Sequence, residues 1–197
     1  MSSTFSFFVK LSLLLHIVML YAQTFTNPVL PGGYPDPSIC KVGDDFYMAN
    51  SSFEYFPGIP IHKSKDLVNW TLIGHGLQRE AQCTGAVNLV DVQSNGGIYA
   101  PTLRYHDGTF YVITTAIYFD AKTKKHSGNN FIITATNPAG PWSDPVVVQG
   151  APGIDPDLFF DEVGRLWYTG QQKPKDPEFT DQKEIWMQEL NRETFQL

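Results

Sequence analysis

Short runs in which apolar and polar residues alternate fill most of the chain, and turns bearing Gly and Asp break them up. Three stretches share one layout: "PDPSICKVGDDFYMANSSF" from Pro35, "APTLRYHDGTFYVITTA" from Ala100 and "DPDLFFDEVGRLWYTGQ" from Asp155. Each has a proline, an aliphatic residue two positions on, a Gly-containing turn with acidic neighbours, and an aromatic-rich alternating run. That pattern predicts a β-hairpin, because side chains alternate between sheet faces with period two.

A second unit follows each hairpin: "IPIHKSKDLVNWTLIG", "FIITATNPAGPWSDPVVV" and "EIWMQELNRETFQL", with Trp70, Trp142 and Phe195 at equivalent places. Two hairpins make four strands per repeat. Pro37, Pro101 and Pro156 mark repeats of about 60 residues, longer than common propeller blades, yet four antiparallel strands per repeat favour an all-β propeller over a solenoid. A sandwich is the runner-up, since strands at regular spacing also suit one. From Thr24 onward the sequence supplies about three blades, whereas propellers close with roughly four to eight. The expectation is therefore an incomplete product whose outer blade edges lie open.

Composition adds a destination. At 197 residues and 42% hydrophobic content the chain is a single globular domain in size, and a net charge of −6 with no Lys/Arg cluster excludes a nucleic-acid footprint. Lys10 precedes an apolar run, Leu11 to Tyr21, that ends at Ala22. Residues 1–22 have the layout of a secretory signal peptide, which predicts an extracellular product with no membrane contact after cleavage; a signal anchor is the alternative. Asn50-Ser51-Ser52 and Asn69-Trp70-Thr71 match the N-glycosylation pattern. Cys40 and Cys83 could pair as one disulfide, or Cys40 could be a small buried hydrophobe.

The candidate chemistry lies at the hairpin starts, since the innermost strand of each blade lines a propeller's channel. Asp36 and Asp155 occupy matching starts, and each precedes a proline, a context that predicts an extended, rigid backbone aiming a carboxylate inward. Two inward carboxylates repel, so one titrates away from its ordinary range, the setting for acid/base chemistry. Taken singly, an Asp-Pro pair is a turn dipeptide; two at matching repeat positions favour a site. Among Tyr34, Phe53, Tyr55, Phe56 and Tyr99, Phe53 and Tyr99 are the candidate sugar platforms, sitting next to the inner positions. His62, His75, His106 and His126 show no metal-ligand spacing, His106-Asp107-Gly108 reads as a turn, and neither a metal nor a cofactor is called for. Ser51 and Ser52 sit in no nucleophile elbow, and Asp44-Asp45 reads as a solvated turn pair.

Together "YPDPSICKVGDDFYMANSSFEYFPGIPIHKSKDLVNW", "GGIYAPTLRYHDGTFYV" and "GIDPDLFFDEVGRLWY" resemble glycoside hydrolase family 43, the β-xylosidases, α-L-arabinofuranosidases and arabinanases. The resemblance implies a five-bladed β-propeller, with residues 24–197 as its truncated N-terminal portion. It also implies hydrolysis of xylan-, arabinoxylan- or arabinan-derived saccharides with inversion. Asp36 of "PDPS" would be the general base, and Asp155 of "IDPD" the carboxylate that raises the pKa of the general acid and orients it. Phe53 would line the pocket for the terminal sugar, and Tyr99 could stack a sugar. The family's general acid is a glutamate, usually in Glu-Gly-Pro, and no such motif occurs here; Glu54, Glu178 and Glu184 are poorly placed to substitute. Tyr99-Ala100-Pro101-Thr102 stands where the family often has Trp-Ala-Pro-His, and Tyr34 where it often has His, so xylose against arabinose stays open. A non-catalytic carbohydrate-binding propeller fragment is the alternative function.

Overall fold

A computed structural model describes residues 24–90, 92–120 and 124–197; the leader read at residues 1–22 lies outside them. The first sheet runs β1 (Ser38–Val42), β2 (Asp45–Ala49), β3 (Gly58–Ser64), β4 (Thr71–Leu77), each strand antiparallel to the next. The second holds β5 (Gly97–Ile98), β6 (Thr102–His106), β7 (Thr109–Asp120), β8 (Lys125–Ala135) and β9 (Val146–Val147), with β5 and β6 both pairing β7. The third consists of β10 (Asp157–Phe160), β11 (Leu166–Gln172) and β12 (Glu184–Leu190). A short 3-10 turn, Glu80–Cys83, lies between the first two sheets.

The hairpin turns follow from their residues. Asp107 and Gly108 both take positive φ, 46° and 79°, between β6 and β7, a backbone hand that matches the twist of the flanking strands and that Asp and Gly tolerate best. Trp70 and Trp142 pin the outer turns of their blades by donating indole N–H to Leu67 O and Pro138 O.

Burial decides propeller against sandwich. Along β7, Phe110 and Val112 face the first sheet while Tyr111 and Ile113 face the third; on β8, Phe131 and Ile133 face the first sheet and Ile132 the third. The middle sheet is therefore buried on both faces, as a blade between two blades must be, and its strands are apolar at consecutive positions for that reason.

Successive innermost strands are tied at one repeat position. Ser38, two residues after Asp36, accepts a hydrogen bond at Oγ from Leu103 N at 2.9 Å. Thr102, at the matching place in β6, donates from Oγ1 to Pro156 O at 3.0 Å. Arg104 then reaches β10 through Asp157 Oδ2 at 2.7 Å and Leu158 O at 3.1 Å. The belt holds β1, β6 and β10 side by side around the channel.

Several expectations are corrected. Asp36 and Asp155 are not extended but take φ of 53° and 56°. Local proline preference yields there to tertiary contacts at the hairpin starts. No disulfide forms: Cys40 and Cys83 are free, packed as small hydrophobes in the first core, and burial pushes the Cys40 thiol up to about 11 against the opposing charge of Arg104. Asn50 is fully buried with its amide engaged, so the folded chain has no room for a glycan there. Asp45 is not merely solvated, since Lys63 and Lys65 each approach its carboxylate to 2.8 Å.

Candidate functional site

The site is built at the starts of β1 and β10. Asp36 stands one residue before Pro37, and its Oδ2 accepts a hydrogen bond of 2.7 Å from Ser51 Oγ, from the segment that follows β2. Asn50, beside Ser51, donates from Nδ2 to Tyr34 O at 2.9 Å and Pro35 O at 3.1 Å, and Ser51 N donates to Pro35 O. Asp36 is thus fixed at its backbone by one residue and at its carboxylate by the next.

Asp155 takes the equivalent place before β10. Loss of surrounding solvent, and after that the negative charge of Asp36, hold its carboxyl above the ordinary aspartate range. Asp155 thus feels the charge of Asp36 from across the blades. The second repeat has Ala100 at this position, so the middle blade contributes no acid.

Phe53 and Tyr99 meet as well, ring centroids 5.8 Å apart and steeply tilted. Phe53 takes φ of 46° and pairs its backbone with Ile98 in both directions. Gly97 makes this approach possible, because a Cβ at that position would lie 2.1 Å from Phe53 O. Tyr99 is anchored at its hydroxyl, which donates to Asn95 O at 3.0 Å, and at its carbonyl, which accepts from Thr114 Oγ1 at 2.8 Å.

The remaining candidates take the following places. His62 is a core residue set edge-on against Tyr34, and burial, then His75, keeps it below its ordinary range. Among the described residues no group of three or more His, Cys, Asp and Glu stands together as a metal site. Glu54 accepts a hydrogen bond from Asn95 N and Glu184 one from Gln172, while Glu178 is exposed. Ser51, set aside for lacking a nucleophile elbow, instead touches Asp36. The repeat held the signal: Ser51 and Thr115 each stand two residues beyond the β2 and β7 partners of Ser38 and Thr102.

Comparison with known proteins places the whole of this site inside one family. The profile for glycosyl hydrolases family 43 matches residues 25–197. The chain belongs to that family. A xylosidase/arabinosidase of Butyrivibrio fibrisolvens is 47% identical over 174 residues, 87% of this chain and 31% of the relative. A non-reducing end alpha-L-arabinofuranosidase of Bacteroides ovatus is 53% identical over 152 residues, 77% of this chain and 27% of the relative. The crystal structure of xylan beta-1,4-xylosidase from Bacillus halodurans C-125 superposes with a TM-score of 0.76 at 39% identity, covering 88% of this chain and 32% of that one. The chain thus spans about a third of the length of the relatives it matches, and its three sheets are blades of the five-bladed β-propeller of family 43 enzymes.

Proposed function

We propose that the protein is a secreted, inverting glycoside hydrolase acting on xylan- or arabinan-derived saccharides, directed outward by residues 1–22, with residues 24–197 as the N-terminal portion of its catalytic propeller. The observation that carries this is the pairing of Asp36 and Asp155, two carboxylates at matching hairpin starts with the same left-handed backbone, the charge of Asp36 adding to burial in holding the Asp155 carboxyl above its ordinary range. The names of the related proteins support the substrate class.

In this assignment Asp36 is the general base. Ser51 occupies Oδ2, which leaves Oδ1 to take a proton from the attacking water on the face of the sugar opposite the leaving group. Asp155 raises the pKa of the general acid by like-charge proximity, keeping that acid protonated until it delivers its proton to the leaving oxygen. Phe53 and Tyr99 line the sugar pocket, their tilted rings offering an apolar wall to C–H groups.

The test is release of pentose by the full-length gene product from para-nitrophenyl β-xyloside and para-nitrophenyl α-arabinofuranoside, with the anomer first formed read by proton NMR. Release with inverted configuration, lost in Asp36→Asn, is expected. A folded wild-type protein that binds xylan and hydrolyses neither glycoside would instead be a carbohydrate-binding propeller.

A further inference from the structure

Two of the three blades secure the stretch before their innermost strand with a side chain just beyond the end of the paired strand segment, and the third does it differently. The β1–β2 register pairs Ser38 with Ala49, so the next residue is Asn50; the β6–β7 register pairs Thr102 with Ile113, so the equivalent is Thr114; the β10–β11 register pairs Asp157 with Thr169, so the equivalent is Gly170. Asn50 holds the carbonyls of Tyr34 and Pro35, and Thr114 holds that of Tyr99. Gly170 has no side chain to offer, yet Asp155 needs its approach segment held, since a non-glycine residue at φ of 56° stays there only when its surroundings enforce it.

The support comes from the neighbouring blade. Asn130 of β8, almost wholly buried, donates from Nδ2 to Ala151 O at 3.2 Å and Gly153 O at 3.3 Å, and to the Tyr168 hydroxyl at 2.9 Å. Gly153, φ 78°, lets the segment approach so closely that a Cβ would lie 2.1 Å from Gln171 O. The amide is oriented by its cross-strand partner: Thr115 Oγ1 donates to Asn130 Oδ1 at 2.6 Å. Thr115 stands where the first blade has Ser51. The hydroxyl that touches Asp36 in one blade is used in the next, where Ala100 replaces the acid, to aim an amide at the approach to Asp155.

We infer that Asn130, oriented by Thr115, is a positioning residue for Asp155, setting its carboxyl against Asp36 from the adjacent blade. This rests on the assignment of Asp36 and Asp155 as the working carboxylates. Burial of the amide is consistent with it, since a buried donor is retained where all its partners are present, and here two N–H groups serve three acceptors. The placement of Asp155 consequently depends on the docking of the second blade on the third, whereas that of Asp36 is set within its own blade.

The experiment compares Thr115→Val, which keeps the shape and removes the donor, with Thr115→Ser, which keeps the donor, in the full-length gene product. Thr115→Val should lower kcat by about ten- to a hundredfold with KM nearly unchanged, since small misplacements of catalytic groups have effects of that order, and Thr115→Ser should recover most of it. NMR titration of isotope-labelled aspartate carboxyls should show the Asp155 midpoint displaced in Thr115→Val and restored in Thr115→Ser. A folded Thr115→Val with wild-type kcat and an unmoved Asp155 midpoint would overturn the inference. So would equal losses in both variants. If the wild type hydrolyses neither glycoside, the proposed function fails on its own account, and the Asp155 midpoint alone then decides the positioning.

Discussion

Asp36 and Asp155 hold the same backbone conformation, φ 53° and 56°, at the same place in two different blades. A left-handed backbone at a non-glycine residue is costly, on the order of 1–3 kcal/mol, and here it occurs at both aspartates, the charge of Asp36 acting on Asp155.

The raised pKa of Asp155 sets a pH dependence of stability. Its folded pKa lies above the unfolded one, so the folded state favours the protonated form: the contribution is fully present below the unfolded value and is lost as pH rises through the folded value. Asp155→Asn, which cannot ionise, should therefore unfold at a higher temperature than wild type at neutral pH, with the gap closing below about pH 4, near the ordinary aspartate pKa. Thermal unfolding of both proteins across that range checks it; parallel curves would refute the sign. The same variant should be severely impaired in turnover, a gain in stability at the expense of function.

Ser51 is the donor to Asp36 Oδ2. Hydrogen bonds to charged groups contribute about 1.5–3 kcal/mol, so Ser51→Ala should reduce kcat by roughly ten- to a hundredfold if the bond matters fully in the transition state. Steady-state kinetics on the aryl glycosides measure this. Unchanged kcat would mean that Asp36 keeps its aim without the hydroxyl.

Phe53 and Tyr99 form the tilted aromatic wall. Contacts of aromatic faces contribute about 0.5–1.5 kcal/mol beyond area burial, so Tyr99→Ala should raise KM about two- to tenfold. Tyr99→Phe keeps the ring but loses the anchor to Asn95 O and should fall between. Equal KM for all three proteins would remove Tyr99 from the pocket.

Arg104 joins the second blade to the third through Asp157 and Leu158 O. Arg104→Met keeps much of the stem and removes both ties, which should cost about 1–3 kcal/mol. Arg104→Lys should recover little, because a single ammonium cannot reproduce the planar fork. Chemical denaturation of the three proteins would show it, and a lysine variant as stable as wild type would exclude the fork as the reason.

The amino-acid pattern by itself determined the strands, the threefold repetition and the two aspartates at its matching starts, because period-two alternation, turn residues and proline placement are local properties. It also carried the family motifs. Four matters were decided only by tertiary structure. Pre-proline preference argued for extended aspartates, but the packing of the hairpin starts holds both at positive φ. The glycosylation triplet at Asn50 is legible as a pattern, yet burial turns that side chain into a clamp for backbone carbonyls. Ser51 was legible as a repeat position matching Thr115, but its bond to Asp36 exists only once the hairpin closes. Asn130 carried no signal at all as a candidate, since its contacts with Ala151 and Gly153 exist only once the second blade docks on the third. Local sequence specifies conformations within reach of one hairpin, and the directions of side chains between blades follow from how the sheets stack.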